Sequence, residues 1–92
     1  MKQAVIVAAK RTPIARQNGA LSALQPQELA APVLTALSSG LHARVDDVIL
    51  GNVVGPGGNI ARLSALEAGL PLSVPGVTLD RQCSAGLEAH GF

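Results

Sequence analysis

The order of strand and helix in this chain is clearest in Val77-Thr78-Leu79-Asp80-Arg81-Gln82-Cys83-Ser84-Ala85-Gly86-Leu87. The first three residues of this stretch are apolar or β-branched, which predicts a short strand. The polar residues after them predict a turn, and the small residues after Cys83 predict the start of a helix. The chain therefore places its one cysteine between the end of a strand and the beginning of a helix.

Two further helices are predicted upstream of this stretch. Pro26-Gln27-Glu28 opens the first one, with a proline near the first turn and an acidic residue beside it. Ser38-Ser39-Gly40 ends it, and Pro32 predicts either a kink or a later helix start. Asn59 is a good N-cap for the second helix.

Two further strands complete the pattern. The run Ala4 to Ala9 is continuously apolar, which predicts a strand buried on both faces, and another strand is centred on Val48 to Leu50. The resulting order is strand, helix, strand, helix, strand and the start of a helix. This alternation predicts an α/β layered fold with a mainly parallel sheet. No domain boundary is expected within residues 1–92.

The composition indicates that much of the apolar surface is meant to be covered. Apolar residues make up 48% of the chain and charged residues 14%, whereas an average soluble domain carries about 25% charged residues. A chain of 92 residues also buries only about 60–65% of its unfolded surface on folding. We therefore expect its apolar faces to pack against other parts of a longer chain or against a partner subunit.

Several function classes are disfavoured by the same composition. A net charge of +1 and one aromatic residue argue against nucleic-acid binding, which needs basic patches and stacking platforms. One cysteine cannot form an internal disulfide or, with two distant histidines, a zinc site. The apolar run before Lys10-Arg11 is too short for a signal peptide, and no segment is long enough for a membrane span. The expected location is the cytoplasm.

Cys83 is the candidate nucleophile. A cysteine at a helix start lies beside unpaired backbone N–H groups, which favour the thiolate, the form that attacks a thioester. Ser84, Ala85 and Gly86 are small enough for a bulky acyl thioester to reach the sulfur. Position alone leaves a second interpretation open, because a lone cysteine is also common as an inert residue of a buried core.

The chain resembles the thiolases, the family of acetyl-CoA acetyltransferases and 3-ketoacyl-CoA thiolases. The likeness is carried, in the family's order, by Val5-Ile6-Val7-Ala8-Ala9 with Arg11-Thr12-Pro13-Ile14; Gly19-Ala20-Leu21-Ser22; Val48-Ile49-Leu50-Gly51-Asn52-Val53; Asn59-Ile60-Ala61-Arg62 running through Ala68-Gly69-Leu70-Pro71; Val74-Pro75; and Asp80-Arg81-Gln82-Cys83-Ser84-Ala85-Gly86-Leu87. These stretches cover nearly the whole chain but only the first part of a typical family member.

The resemblance implies a layered α/β/α/β/α fold of two similar halves, in which residues 1–92 form an incomplete N-terminal thiolase domain. It implies that Cys83 takes an acyl group from acyl-CoA or 3-ketoacyl-CoA and passes it to CoA or to a second acetyl-CoA. CoA and acyl-CoA are then substrates, and no covalently bound cofactor is expected. The resemblance also implies a homodimer or homotetramer, with Val77 to Asp80 as the candidate subunit contact.

The family's other catalytic groups are two histidines, in Asn-Glu-Ala-Phe-type and Gly-His-Pro motifs, and a second cysteine in a Cys-x-Gly-Gly-Gly motif. None of these motifs occurs in residues 1–92. His42 and His90 are not expected to replace them, and Arg62 is expected to be a surface or subunit-contact residue. Two departures from the family pattern are Asp80, where many members have Asn, and the ending Ala89-His90-Gly91-Phe92.

Two alternative functions remain open at this point. A condensing enzyme of the ketosynthase type would also use a cysteine at a buried helix start. The stretches Asn59 to Arg62 and Ala68 to Pro71 favour a thiolase over it. A catalytically inactive fragment or an interaction module is the third possibility, and for 92 residues alone it is the expected behaviour.

Overall fold

Three helices and two strands make up the fold of the chain, as seen in a computed structural model that describes residues 2–92. In chain order they are α1 (Pro26–Ser39), β1 (Val48–Gly51), α2 (Ile60–Glu67), β2 (Gly76–Leu79) and α3 (Ala85–Gly91). The predicted strands around residues 48–50 and 77–79 and all three predicted helices are therefore confirmed. No helix within residues 2–92 has both the length and the apolar character needed to cross a bilayer.

The two strands form a parallel pair. Its register joins Val48 to Gly76 at one end and Gly51 to Leu79 at the other. The ladder continues past the last pair, because the amide nitrogen of Asn52 donates to the carbonyl oxygen of Leu79 at 2.9 Å. Since the strands run in the same direction, both carboxyl ends lie at one edge of the sheet.

Small aliphatic side chains form the core. Val48 of β1, Ala61 and Ala65 of α2, and Val74 before β2 are buried together. Ala61 and Ala65 are 0% and 1% exposed, so α2 lies close against its neighbours. A core of this kind needs no aromatic residue, which agrees with the composition.

Helix α1 is continuous from Pro26, so the later helix start that Pro32 suggested is wrong. Pro26 occupies the first turn, where its missing N–H would have had no intrahelical partner. The side chain of Glu28 accepts a hydrogen bond from the amide nitrogen of Gln25 at 3.2 Å, which closes the helix start. Gly40 caps the other end, as predicted.

The buried strand expected over Ala4 to Ala9 is wrong. These residues form no strand, and Val5, Ile6 and Val7 are 75%, 73% and 74% exposed. A strand needs a hydrogen-bonded neighbour, and the sheet within residues 2–92 contains only β1 and β2. The apolar composition of residues 4–9 favours burial, but these residues are buried only where another surface packs against them.

This exposed run predicts self-association of the 92-residue chain, because an extended apolar segment readily pairs with another copy. We expect Ile6→Lys to lower the weight-average mass measured by sedimentation velocity. The matched control is Ile14→Lys, since Ile14 is 91% exposed but lies outside the apolar run. Equal masses for the unaltered chain and Ile6→Lys would contradict the prediction.

Candidate active site

Cys83 lies in the turn that joins β2 to α3, and its thiol is exposed and free. Within residues 2–92, Cys83 is therefore not part of a buried core. The turn leaves the carboxyl edge of the parallel sheet. In open α/β sheets this edge is where ligands bind.

The turn is fixed by local hydrogen bonds and by one strained residue. Gln82, directly before Cys83, has a φ of 50°, a left-handed conformation that costs a non-glycine residue about 1–2 kcal/mol. The carboxylate of Asp80 accepts a hydrogen bond from the amide nitrogen of Gln82 at 3.0 Å. Beyond Cys83, the amide nitrogen of Ser84 donates to the carbonyl oxygen of Arg81 at 3.1 Å. A sharp strand-to-helix turn of this kind presents a side chain outward, as in nucleophile elbows.

An ion pair spans the same turn. The guanidinium of Arg81 contacts the carboxylate of Glu88 at 2.9 Å, and the two side chains are 66% and 42% exposed. Because water screens such a pair, its contribution to stability is at most about 1 kcal/mol. This ion pair links Arg81, in the turn, to Glu88, in the middle of α3, and so restrains the turn on its solvent-exposed side.

The beginning of α3 lies directly on the end of β1. A Cβ atom at Gly51 would stand 2.6 Å from the carbonyl carbon of Ala85 and 2.7 Å from the amide nitrogen of Gly86. Both are backbone atoms, so neither can move aside without moving the helix. Ala85 is 2% exposed. The missing side chain at Gly51 therefore determines how close the residues after Cys83 come to the sheet.

Gly51→Ala is expected to destabilise the chain by about 1–3 kcal/mol, the usual cost of overpacking a tight contact. The measurement is the midpoint of urea unfolding. Gly40→Ala is the matched control, because a Cβ at Gly40 would meet no atom within 4 Å. A Gly51→Ala midpoint equal to that of Gly40→Ala would show that α3 does not depend on this contact.

A second set of hydrogen bonds ties β2 to α2. The side-chain oxygen of Asn59 accepts from the amide nitrogen of Arg62 at 3.1 Å and from the hydroxyl of Thr78 at 2.6 Å. The side-chain nitrogen of Asn59 donates to the carbonyl oxygen of Gly76 at 2.7 Å. The hydroxyl of Thr78 in turn accepts from the amide nitrogen of Ala61 at 2.9 Å. The predicted N-cap role of Asn59 is confirmed, while the part played by Thr78 was not foreseen.

Arg62 is half-buried and hydrogen-bonds to the loop before β2. Its guanidinium donates to the carbonyl oxygen of Val74 at 2.5 Å and to that of Leu72 at 3.0 Å. The side chain therefore braces the loop that leads into β2, and its hydrogen-bonding groups face this chain. This bracing role was not foreseen, and the expectation that Arg62 is a surface or subunit-contact residue stays a prediction.

The remaining polar candidates do not converge on Cys83. His42 lies in the loop between α1 and β1, and His90 lies in the last turn of α3; both are exposed. Residues 2–92 contain no cluster of three or more His, Cys, Asp or Glu side chains arranged to hold a metal ion. The candidate site within the described chain is thus one exposed thiol on a braced turn.

Comparison with known proteins identifies the family of this site. A family profile described as "Thiolase, N-terminal domain" matches residues 4–90, a range that includes the Cys83 turn. The chain belongs to the thiolase family. The profile covers every helix and strand of the structure except the last residue of α3, so the fold and the candidate site both lie within the thiolase region.

Relatives of this thiolase chain are much longer than it is. The Bacillus subtilis protein YhfS is 64% identical over 86 residues, which are 94% of this chain and 24% of YhfS. The Staphylococcus haemolyticus protein VraB is 53% identical over 92 residues, which are 97% of this chain and 24% of VraB. Both relatives bear the provisional name acetyl-CoA C-acetyltransferase. The chain therefore spans about a quarter of the length of the curated relatives it matches.

A solved structure supports the same family assignment. The crystal structure of the Bacillus anthracis acetyl-CoA acetyltransferase superposes with a TM-score of 0.69 at 43% sequence identity. The superposition covers 77% of this thiolase chain and 19% of that enzyme. The α/β thiolase fold predicted from the sequence is therefore confirmed, with the exception of the strand over Ala4 to Ala9.

Proposed function

We propose that this chain supplies the nucleophile of a thiolase-type acyltransferase that acts on CoA thioesters. The observation that carries the proposal is the exposed Cys83 thiol on a strand–turn–helix at the carboxyl edge of the sheet. Support comes from relatives named as acetyl-CoA C-acetyltransferases that match the same region. The activity belongs to the complete protein that carries this sequence.

In the proposed reaction the Cys83 thiolate attacks the carbonyl carbon of an acyl-CoA. The bond from that carbon to the CoA sulfur breaks, CoA leaves with a proton, and the acyl group remains as a thioester on Sγ. The old and new thioesters have similar energies, so the step is reversible. A second acetyl-CoA, as its carbanion, then takes the acyl group in condensation. In thiolysis the Cys83 thiolate attacks the 3-keto carbon of a 3-ketoacyl-CoA, the bond between this carbon and C2 breaks, and the departing acetyl-CoA carbanion takes up a proton. The thiolate of CoA then attacks the acyl thioester on Sγ, which forms the shortened acyl-CoA and restores the Cys83 thiolate.

Proton transfer in these steps requires acid and base groups besides Cys83. The family resemblance assigns these groups to histidine and cysteine motifs that residues 1–92 do not contain. Because the chain spans 24% of its relatives, we expect the 92-residue chain alone to show no thiolysis. CoA and acyl-CoA are substrates in this scheme, and no covalently bound cofactor takes part.

Oligomerisation and location belong to the same proposal. The edge of β2 that faces away from β1 has no strand beside it within residues 2–92. An open edge of this kind can pair with another copy, so we propose a homo-oligomer with Val77 to Asp80 at the subunit contact. A cytoplasmic role in fatty acid metabolism fits an enzyme that uses CoA thioesters and carries a free thiol in this chain.

The proposal is tested by replacing the nucleophile in the complete protein. Cys83→Ser keeps the size of the side chain but removes the thiolate, so we expect transfer from acetyl-CoA to CoA to fall by on the order of 10³-fold or more. Iodoacetamide should abolish the same activity in the unaltered protein. A matched control is Ser73→Ala, in the loop before β2, which should keep full activity. Unchanged turnover by Cys83→Ser would refute the proposed role.

A further inference from the structure

Asp80 and Gln82 lie in the turn between β2 and Cys83, and one hydrogen bond joins them. Gln82 has a φ of 50°, in the left-handed region that disfavours any residue with a Cβ atom. A carboxylate oxygen of Asp80 accepts a hydrogen bond from the amide nitrogen of Gln82 at 3.0 Å. Because the acceptor is charged, this bond is stronger than one between neutral groups. It therefore offsets part of the cost of the left-handed conformation.

The peptide groups on both sides of Gln82 are held by hydrogen bonds. In the group before it, the amide nitrogen of Gln82 donates to Asp80, and the carbonyl oxygen of Arg81 accepts from the amide nitrogen of Ser84 at 3.1 Å. In the group after it, the carbonyl oxygen of Gln82 accepts from the amide nitrogen of Ala85 at 3.0 Å. Since φ and ψ are the rotations between two successive peptide planes, these bonds fix the conformation of Gln82. The bond to Asp80 is the one among them that a side-chain substitution removes.

The direction of the Cys83 side chain depends on this conformation. The peptide group after Gln82 ends at the amide nitrogen of Cys83, so a rotation at Gln82 reorients the Cα–Cβ bond of Cys83. On the other side of Cys83, Ala85 is 2% exposed and its backbone lies directly against Gly51. The helix side of the turn is thus anchored to the sheet. A rotation at Gln82 would move the thiol relative to this anchor, and the bond to Asp80 opposes it.

We propose that Asp80 is a positioning residue for acyl transfer by Cys83, because its carboxylate holds Gln82 in the left-handed conformation that orients the thiol toward the thioester. The partner of Asp80 is a backbone amide, so the turn needs an acceptor oxygen on Cγ and does not need a charge. Position matters greatly for this step, since a displacement of reacting atoms by about 1 Å can cost about 100-fold in rate. This inference rests on the proposed function of Cys83.

The test measures the single-turnover rate of Cys83 acetylation by saturating acetyl-CoA in variants of the complete protein. Asp80→Ala removes the acceptor, so we expect the rate to fall about tenfold while the half-saturating concentration changes by less than about twofold. Asp80→Asn keeps an acceptor oxygen on Cγ and should stay within about twofold of the unaltered rate. Glycine adopts the left-handed conformation without a Cβ penalty. In a Gln82→Gly background, Asp80→Ala should therefore lower the rate by less than about threefold.

The matched control is Asp47→Ala. The carboxylate of Asp47, an exposed residue, accepts a hydrogen bond from the amide nitrogen of Val48 at 2.9 Å. The variant therefore removes the same kind of bond, but at the amino end of β1. It should keep the acetylation rate of the unaltered protein.

Several outcomes would overturn the role of Asp80 while leaving acyl transfer by Cys83 intact. These are an unchanged rate in Asp80→Ala, an equal loss in Asp80→Asn or Asp47→Ala, and a loss that is as large in the Gln82→Gly background. A lower oligomeric mass of Asp80→Ala in sedimentation velocity would also overturn it, since Asp80 would then act through the subunit contact. If Cys83→Ser retained full transfer, the proposed function would fall, and the role of Asp80 with it.

Discussion

The absence of a side chain at Gly51 is the constraint on which the candidate site depends. With only hydrogen at this position, the end of β1 lies in contact with the backbone at the start of α3, and any Cβ would collide with Ala85. Gly76 permits a similar approach at the other end of the sheet, where a Cβ would stand 2.6 Å from the amide nitrogen of Arg62. Gly51 therefore allows α3 to pack closely on β1, and Gly76 allows α2 to pack closely on β2.

Directed hydrogen bonds convert this close packing into a defined geometry. Asn59 caps α2 and, through Thr78, joins the helix start to the strand that leads to Cys83. The hydroxyl of Thr78 donates to the side-chain oxygen of Asn59 and accepts from the amide nitrogen of Ala61, so it is used both as a donor and as an acceptor within the chain. The guanidinium of Arg62 donates hydrogen bonds to two backbone carbonyl oxygens of the loop that leads into β2, those of Leu72 and Val74. The strand that presents the nucleophile is thus fixed at both ends, while the thiol itself remains exposed.

Much of this fold could be predicted from sequence because its signals are local. The N-cap Asn59 and the strand–turn–helix around Cys83 are read from neighbouring residues, and both were found where expected. The strand over Ala4 to Ala9 was wrong because burial depends on a partner surface that composition does not reveal. The hydrogen bonds of Thr78 and Arg62 were not foreseen because their partners lie 10 to 19 residues away. The exposure of Cys83 was equally undecided, since its small neighbours suit a core as well as a substrate passage.

The role of Cys83 is tested most directly by a crystal structure of the complete protein trapped with acetyl-CoA. We expect electron density for one acetyl group bonded to Sγ of Cys83, with Ala85 still packed against Gly51 and the turn at Gln82 still left-handed. An unmodified Sγ, together with an acetyl group bonded to another residue, would contradict the assignment of Cys83 as the acyl acceptor.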